Sequence, residues 1–107
     1  MSSTLTKRTL DKMRKEGYLC QVVETFNRFA GVKNDLFGFV DVLCCGENGD
    51  IIGIQTTSLS NMRARIDKIQ THKNYLRVKK CMSIKVHGWS KGKNGKRIIW
   101  VCDEQEL

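Results

Sequence analysis

Residues 36–58 leave this chain few local choices. LFGFVDVLC (36–44) is dense in aromatic and β-branched residues, the composition of a strand half-buried on a pleated sheet. GENGD (46–50) follows, and Asn48-Gly49 is a pair that readily takes positive φ. IIGIQTTS (51–58) is a second strand, so the segment predicts a β-hairpin. Side chains alternate across a strand, which puts Phe37, Phe39, Asp41 and Leu43 on one face. Two registers satisfy the turn. A three-residue loop with Gly49 left-handed sets Gly46 opposite Asp50 and Asp41 opposite Gln55; a two-residue Asn48-Gly49 turn sets Asp41 opposite Thr56. The sequence leaves both open, and in both Asp41 neighbours the polar end of the second strand.

The flanks read as helices and further strands. Ser2 or Ser3 caps a first helix running to about Glu16, with Leu5, Leu10 and Met13 on one face and Gly17 as its stop. LCQVVET (19–25) is a strand, and FNRFAGVKND (26–35) is an irregular approach to the hairpin. After the hairpin, Ser58 or Ser60 caps a helix whose buried stripe is Met62, Ile66 and Ile69, continuing itself or through a second short helix past Tyr75 and Leu76. CMSIKVHGW (81–89) and KRIIWVC (96–102) are two strands joined by the basic turn SKGKNGK. The order α-β-β-β-α-β-β predicts an α/β fold, a mixed sheet with helices packed on it, as one domain over 1–107.

Composition narrows the functional classes. No apolar run approaches the roughly 18 residues that span a bilayer, and the polar start MSSTLTKRTLDKMRKEG lacks the apolar stretch of a signal peptide, so no membrane partner is expected. The five cysteines contain no CxxC pair, which argues against a disulfide framework and a structural zinc site. Reduced thiols serving as small apolar residues suit the cytoplasm. Lys plus Arg number 19 against 11 Asp plus Glu, a net charge of +8, which suits a polyanionic partner, nucleic acid first.

One constellation carries chemistry. Asp41 interrupts an apolar face, and a carboxylate there needs a partner or a metal. Glu24 ends the preceding strand, Asp35 precedes the hairpin, and Gln55 lies on the returning strand, so three carboxylates and an amide can meet at one sheet end. Such oxygen donors suit Mg²⁺ or Mn²⁺, which polarise phosphodiesters and acidify bound water. Arg63, Arg65 and Lys68 on the following helix, and Lys91, Lys93, Lys96 and Arg97 around the basic turn, are candidates for DNA backbone contact. Trp89 and Trp100 are expected in the core, and His72 and His87 lack metal-ligand spacing.

The succession of strand, acidic strand, turn, strand and helix resembles the core of the PD-(D/E)XK nuclease superfamily. More closely, VETFNRFAGVKNDLFGFVDVL, IIGIQTTSLSNMRARIDKI and VHGWSK resemble small phage-encoded proteins related to Holliday junction resolvases and VRR-NUC-type nucleases, over roughly residues 20 to 91. The resemblance implies a restriction-endonuclease-like fold and a Mg²⁺- or Mn²⁺-dependent endonuclease acting on duplex or branched DNA in the cytoplasm of a bacterial host, possible as a homodimer. It makes Asp41 the metal-binding Asp, with Asp35 its rival through NDLFG, and Glu24 the extra upstream acid. Gln55 stands where the (D/E)xK acid belongs, and Thr57 where its lysine belongs. A replacement lysine is expected from Lys33 or Lys85, and Arg63 is expected at the scissile phosphate.

Overall fold

A computed structural model describes residues 4–107, apart from the side chains of Phe26, Asn27 and Lys33. The cap expected at Ser2 or Ser3 lies outside these residues. Helix α1 (Thr4–Lys15) ends where expected: Gly17 at φ 95 closes it as a Schellman turn, with Tyr18 N–H on Met13 O and Gly17 N–H on Arg14 O, each at 3.1 Å. Its most buried stripe is Thr6, Thr9 and Met13, while Leu5 and Leu10 are half-buried. The two hydroxyls are on the inner face because both bond to the sheet, described below.

Strand β1 (Leu19–Val22) is followed by a small hairpin, β2 (Thr25–Asn27) with β3 (Val32–Asn34), in the segment read as irregular. Gly31 at φ 64 lets the chain reverse there. The central hairpin is β4 (Val42–Cys45) and β5 (Ile51–Ser58). Its register is the three-residue one: Val42 pairs with Ile54, Cys45 with Ile51, Gly46 N–H donates to Asp50 O at 2.8 Å, and Gly49 has φ 86.

The first strand of that hairpin is shorter than the composition predicts. Residues 36–40 form a tight turn instead, closed by Leu36 N–H to Val40 O at 2.9 Å and Val40 N–H to Leu36 O at 3.0 Å. Phe37 (φ 57) and Gly38 (φ 96) are both left-handed, a conformation no strand contains. The expected alternation of Phe37, Phe39 and Asp41 is therefore broken: Phe37 is 48% exposed and Phe39 is buried in the core.

After a short 3-10 turn (Leu59–Asn61) come α2 (Met62–Gln70) and α3 (Tyr75–Cys81). Met62, Ile66 and Ile69 are buried as expected, but no serine caps α2: Asn61 takes that position without a side-chain bond, and Ser58 and Ser60 bond each other at 3.1 Å. Cys81 ends α3 rather than starting a strand. Strands β6 (Ser83–Asn94) and β7 (Arg97–Glu106) run longer than expected, and most of SKGKNGK is strand, with Gly95 and Lys96 alone between the paired Asn94 and Arg97.

The five-stranded sheet has the order β1-β4-β5-β6-β7, with β5 and β6 parallel and every other neighbour antiparallel. The α2–α3 connection is the crossover that a parallel pair requires. Phe39, Val40, Ile66, Ile69, Ile84 and Val86 are among the residues packed in one core, and Met13, Cys20, Val42, Cys44, Ile52 and Ile54 form a second against α1. Cys20 and Cys44 face each other across β1 and β4 with sulfurs 3.1 Å apart. Burial raises the Cys44 thiol far above its ordinary value and Cys102 to about 11, so neither is a ready nucleophile.

Candidate metal centre

Asp41 sits where the sheet changes partners. Its N–H donates to Ile54 O at 2.9 Å, and its carbonyl accepts from Val23 N–H at 2.8 Å, so both neighbouring strands hold its backbone. Val40 has turned its own N–H to Leu36, and β5 runs on past the end of β4. The Asp41 carboxylate fills the gap: Oδ2 accepts the Thr56 N–H at 2.9 Å, with the Thr56 hydroxyl 3.4 Å away. The side chain is fully buried.

Helix α1 joins this arrangement through Thr6. Its hydroxyl donates to Glu24 Oε1 at 3.2 Å and lies 3.0 Å from the Thr56 hydroxyl. With the Thr6 proton directed to Glu24, Thr56 is the donor of that second contact, and the backbone N–H is the main donor to Asp41. Because Val23 pairs with Asp41, Glu24 is delivered beside it, and the turn closed by Leu36 and Val40 brings Asp35 back to the same place. One oxygen each from Glu24, Asp35 and Asp41 lie within 4.8 Å of one another, the one such group of acidic, histidine or cysteine ligands among the described residues. Carboxylate oxygens are the donor type that hard cations such as Mg²⁺ or Mn²⁺ take.

Gln55, one residue beyond the Ile54 whose carbonyl takes the Asp41 N–H, is buried and lines a cavity of about 40 Å³ together with Asp35, Arg65, Lys68 and His72. Thr57, two residues on and also buried, is not among its walls. The side chain of Lys33 lies outside the described residues. Lys85 is engaged by Glu104 at 3.2 Å, and Arg63 lies on an exposed face of α2 beside Asp67 at 3.8 Å. A larger concavity of about 290 Å³ between Glu16 and Asp50 lies at the turn end of the hairpin, and none of the three acids lines it.

His72 is the wall residue that spacing gave no reason to select. It belongs to the α2–α3 link, and only the fold brings it against Gly38 and Phe39, with the Phe39 and His72 ring centroids 5.3 Å apart. His87, by contrast, is buried toward α1: Nδ1 lies 3.0 Å from the Thr9 hydroxyl, Nε2 lies 2.7 Å from Glu104, and Trp89 Nε1 donates to the same Thr9 oxygen at 2.9 Å. Trp89 is in the core as expected. Trp100 is half-buried, with the Arg8 guanidinium 4.1 Å and the Lys91 ammonium 5.6 Å from its ring centroid. Lys91, Lys93, Lys96 and Arg97 are all exposed on the β6–β7 hairpin, and Lys96 forms its tip with Gly95. No helix among the described residues is long and apolar enough to cross a membrane. No family model matches the chain, and no curated protein or solved structure does either.

Proposed function

We propose that this chain is a divalent-metal-dependent DNA endonuclease, resolvase-like, with a restriction-endonuclease-like core. The observation that carries the reading is the convergence of Glu24, Asp35 and Asp41 within 4.8 Å, on the residues that the PD-(D/E)XK resemblance selects. Mg²⁺ or Mn²⁺ held by these carboxylates, with the Gln55 carbonyl beside them, would supply Lewis acidity at a phosphodiester and acidify a water. Thr56 and Thr6 orient the carboxylates through the contacts described. Arg65 and Lys68 bring cationic charge to the cavity that Gln55 and Asp35 share, which makes Lys68 a better stand-in than Lys85 for the lysine that Thr57 lacks. The net charge of +8 and the basic β6–β7 hairpin suit a DNA partner, duplex or branched, met as monomer or homodimer in the cytoplasm of a bacterial host.

The test is a cleavage screen with Mg²⁺ and Mn²⁺ over duplex, single-stranded and four-way-junction DNA. Metal-dependent nicking that disappears in Asp41→Asn supports the proposal; absence of cleavage on every substrate sinks it. The substitutions at Gln55 and Thr57 favour one second reading, a DNA-binding phage protein that has lost catalysis. Salt-sensitive DNA binding without cleavage selects that reading, and the absence of any nucleic-acid binding selects a host-protein-binding role instead.

A further inference from the structure

Of the three acids Asp35 alone lines the 40 Å³ cavity, to which Arg65, Lys68 and His72 bring donors. We propose that His72 is a phosphate ligand, its Nε2–H donating to a non-bridging oxygen of a phosphodiester seated against Arg65 and Lys68. The inference rests on the nuclease reading for its substrate, nucleic acid, but its geometry stands on separate residues. The Asn74 backbone N–H donates to His72 Nδ1 at 3.0 Å. A ring nitrogen that accepts carries no proton, so the neutral ring carries its proton on Nε2. Phe39 meets the ring edge-on at an interplanar angle of 69° and limits its rotation.

The opposite wall is Gly38, and the imidazole packs directly on it: a Cβ there would stand 2.5 Å from Nε2, and Gly38 sits at φ 96, where a side chain is disfavoured in any case. Phe37, at φ 57, carries the strain of the same turn, and the Asn74 side-chain amide holds that turn by donating to Phe37 O at 3.0 Å. Asn74 thus fixes both the imidazole and the turn facing it. Holding the α2–α3 link uses Nδ1 alone and leaves the Nε2–H for a further acceptor. The cavity, about 40 Å³, is far smaller than a nucleobase, and Asp35 in its wall belongs to the acidic group as well.

The imidazole nitrogens of the full, metal-free chain provide the test, observed by long-range ¹H–¹⁵N spectra during titration with inorganic phosphate and with a dinucleotide phosphodiester. The expected results are an Nε2–H tautomer at His72, a ligand-dependent shift of Nε2 with both probes, and dinucleotide affinity weakened about tenfold in His72→Gln. Arg65→Gln, at an exposed position, serves as the second variant and weakens binding without altering Tm. Gly38→Ala removes the response. An Nδ1–H tautomer, no shift with either probe, or unchanged affinity in both His72→Gln and Arg65→Gln overturns the proposal. A response to inorganic phosphate alone overturns the nucleic-acid assignment of the subsite. A response to both probes in a chain that cleaves no DNA upholds the subsite and removes the nuclease reading.

Discussion

A carboxylate with no exposed surface must be held by donors or by a cation. At Asp41 the donor is the Thr56 N–H, made available because Val40 bonds Leu36 instead of continuing the ladder. Substitutions there separate structure from chemistry. Asp41→Asn keeps an acceptor for Thr56 and retains the fold, while cleavage falls on the order of 10³-fold, the equivalent of several kcal/mol of lost metal stabilisation. Asp41→Ala leaves the Thr56 N–H unmatched and costs about 1–3 kcal/mol of stability besides. Urea melts alongside a plasmid-nicking assay distinguish the two, and full activity in Asp41→Asn would show that another carboxylate dominates. Asp41 stood out because an acid inside an apolar stretch is anomalous by itself, whereas Glu24 and Asp35 were legible only from their places at the ends of the neighbouring segments. His72 was not, since its setting depends on Gly38, a residue distant in sequence that only tertiary structure brings beside it. His87 was equally hidden. Burial holds its imidazole below the ordinary value of 6.5 despite the attraction of Glu104, with Lys12 and Lys85 adding to the depression. Desolvation opposes ionisation of Glu104, but hydrogen bonds from His87 and Lys85 outweigh it and leave the carboxyl below its usual 4.5. In both groups the unfolded chain takes up its proton first on acidification. Stability contributed by His87 is therefore lost as pH falls below about 6.5, and that from Glu104 below about 4.5. Tm should decline steadily from pH 7 to pH 4, with the upper part of the decline flattened in His87→Gln; a wild-type Tm level between pH 7 and pH 5 contradicts this account.

The elements show where local chemistry specifies structure and where it runs out. The turn residues of the central hairpin allowed two registers, and the three-residue loop prevails with Gly49 left-handed; the pairing ends at Val42 and Ile54, and Asp41 donates its N–H to Ile54 O instead of pairing with Gln55. The strand before it was overread because Phe37-Gly38-Phe39 has β composition but left-handed backbone at its first two positions, a choice made by tertiary contacts with His72 and Asn74. The β6–β7 hairpin was underread for the converse reason. Glycine-rich SKGKNGK looks like a turn, yet Ser90 to Asn94 have a full partner in Arg97 to Val101, and pairing overrides propensity. This places Lys91 and Lys93 along a strand rather than in a loop, with Lys96 at the tip and Arg97 beginning the return. An arm of that kind suits phosphate contact along a duplex. Each phosphate contact removed lowers the magnitude of the log affinity against log salt slope by about 0.9. The triple variant Lys93→Ala, Lys96→Ala and Arg97→Ala should reduce it by about 2 to 3, measured by fluorescence anisotropy on duplexes of unrelated sequence. An unchanged slope would remove the arm from the DNA interface.

At the scale of the molecule, the candidate centre is assembled from segments far apart in sequence: α1 through Thr6, the end of β1 through Glu24, the 35–41 turn, and β5 through Gln55 and Thr56. The mixed sheet with helices packed on it was legible because most segments had their own periodicity and stop, but the order α-β-β-β-α-β-β was not met: the chain adds the β2–β3 hairpin and the helix α3. The junctions between segments were not legible, and the centre is made of junctions. Its oxygen atoms come together only when α1 is docked and both hairpins are formed, so the unfolded chain offers no equivalent site. A cation that binds the folded state alone must then stabilise the whole domain. At a free concentration about 100 times Kd the gain is about 2.7 kcal/mol. For a domain of this size, about 4–8 °C of Tm accompanies each kcal/mol. Saturating Mn²⁺ should accordingly raise Tm by about 10–20 °C, EDTA should reverse the shift, and Asp41→Asn should abolish it while unfolding in a single transition like the parent. Because Thr6 holds Glu24 from α1, Thr6→Val should reduce the metal-induced shift without removing an acidic ligand. A Tm indifferent to Mn²⁺ in the parent chain would mean that the three carboxylates do not form a metal centre, whatever their proximity.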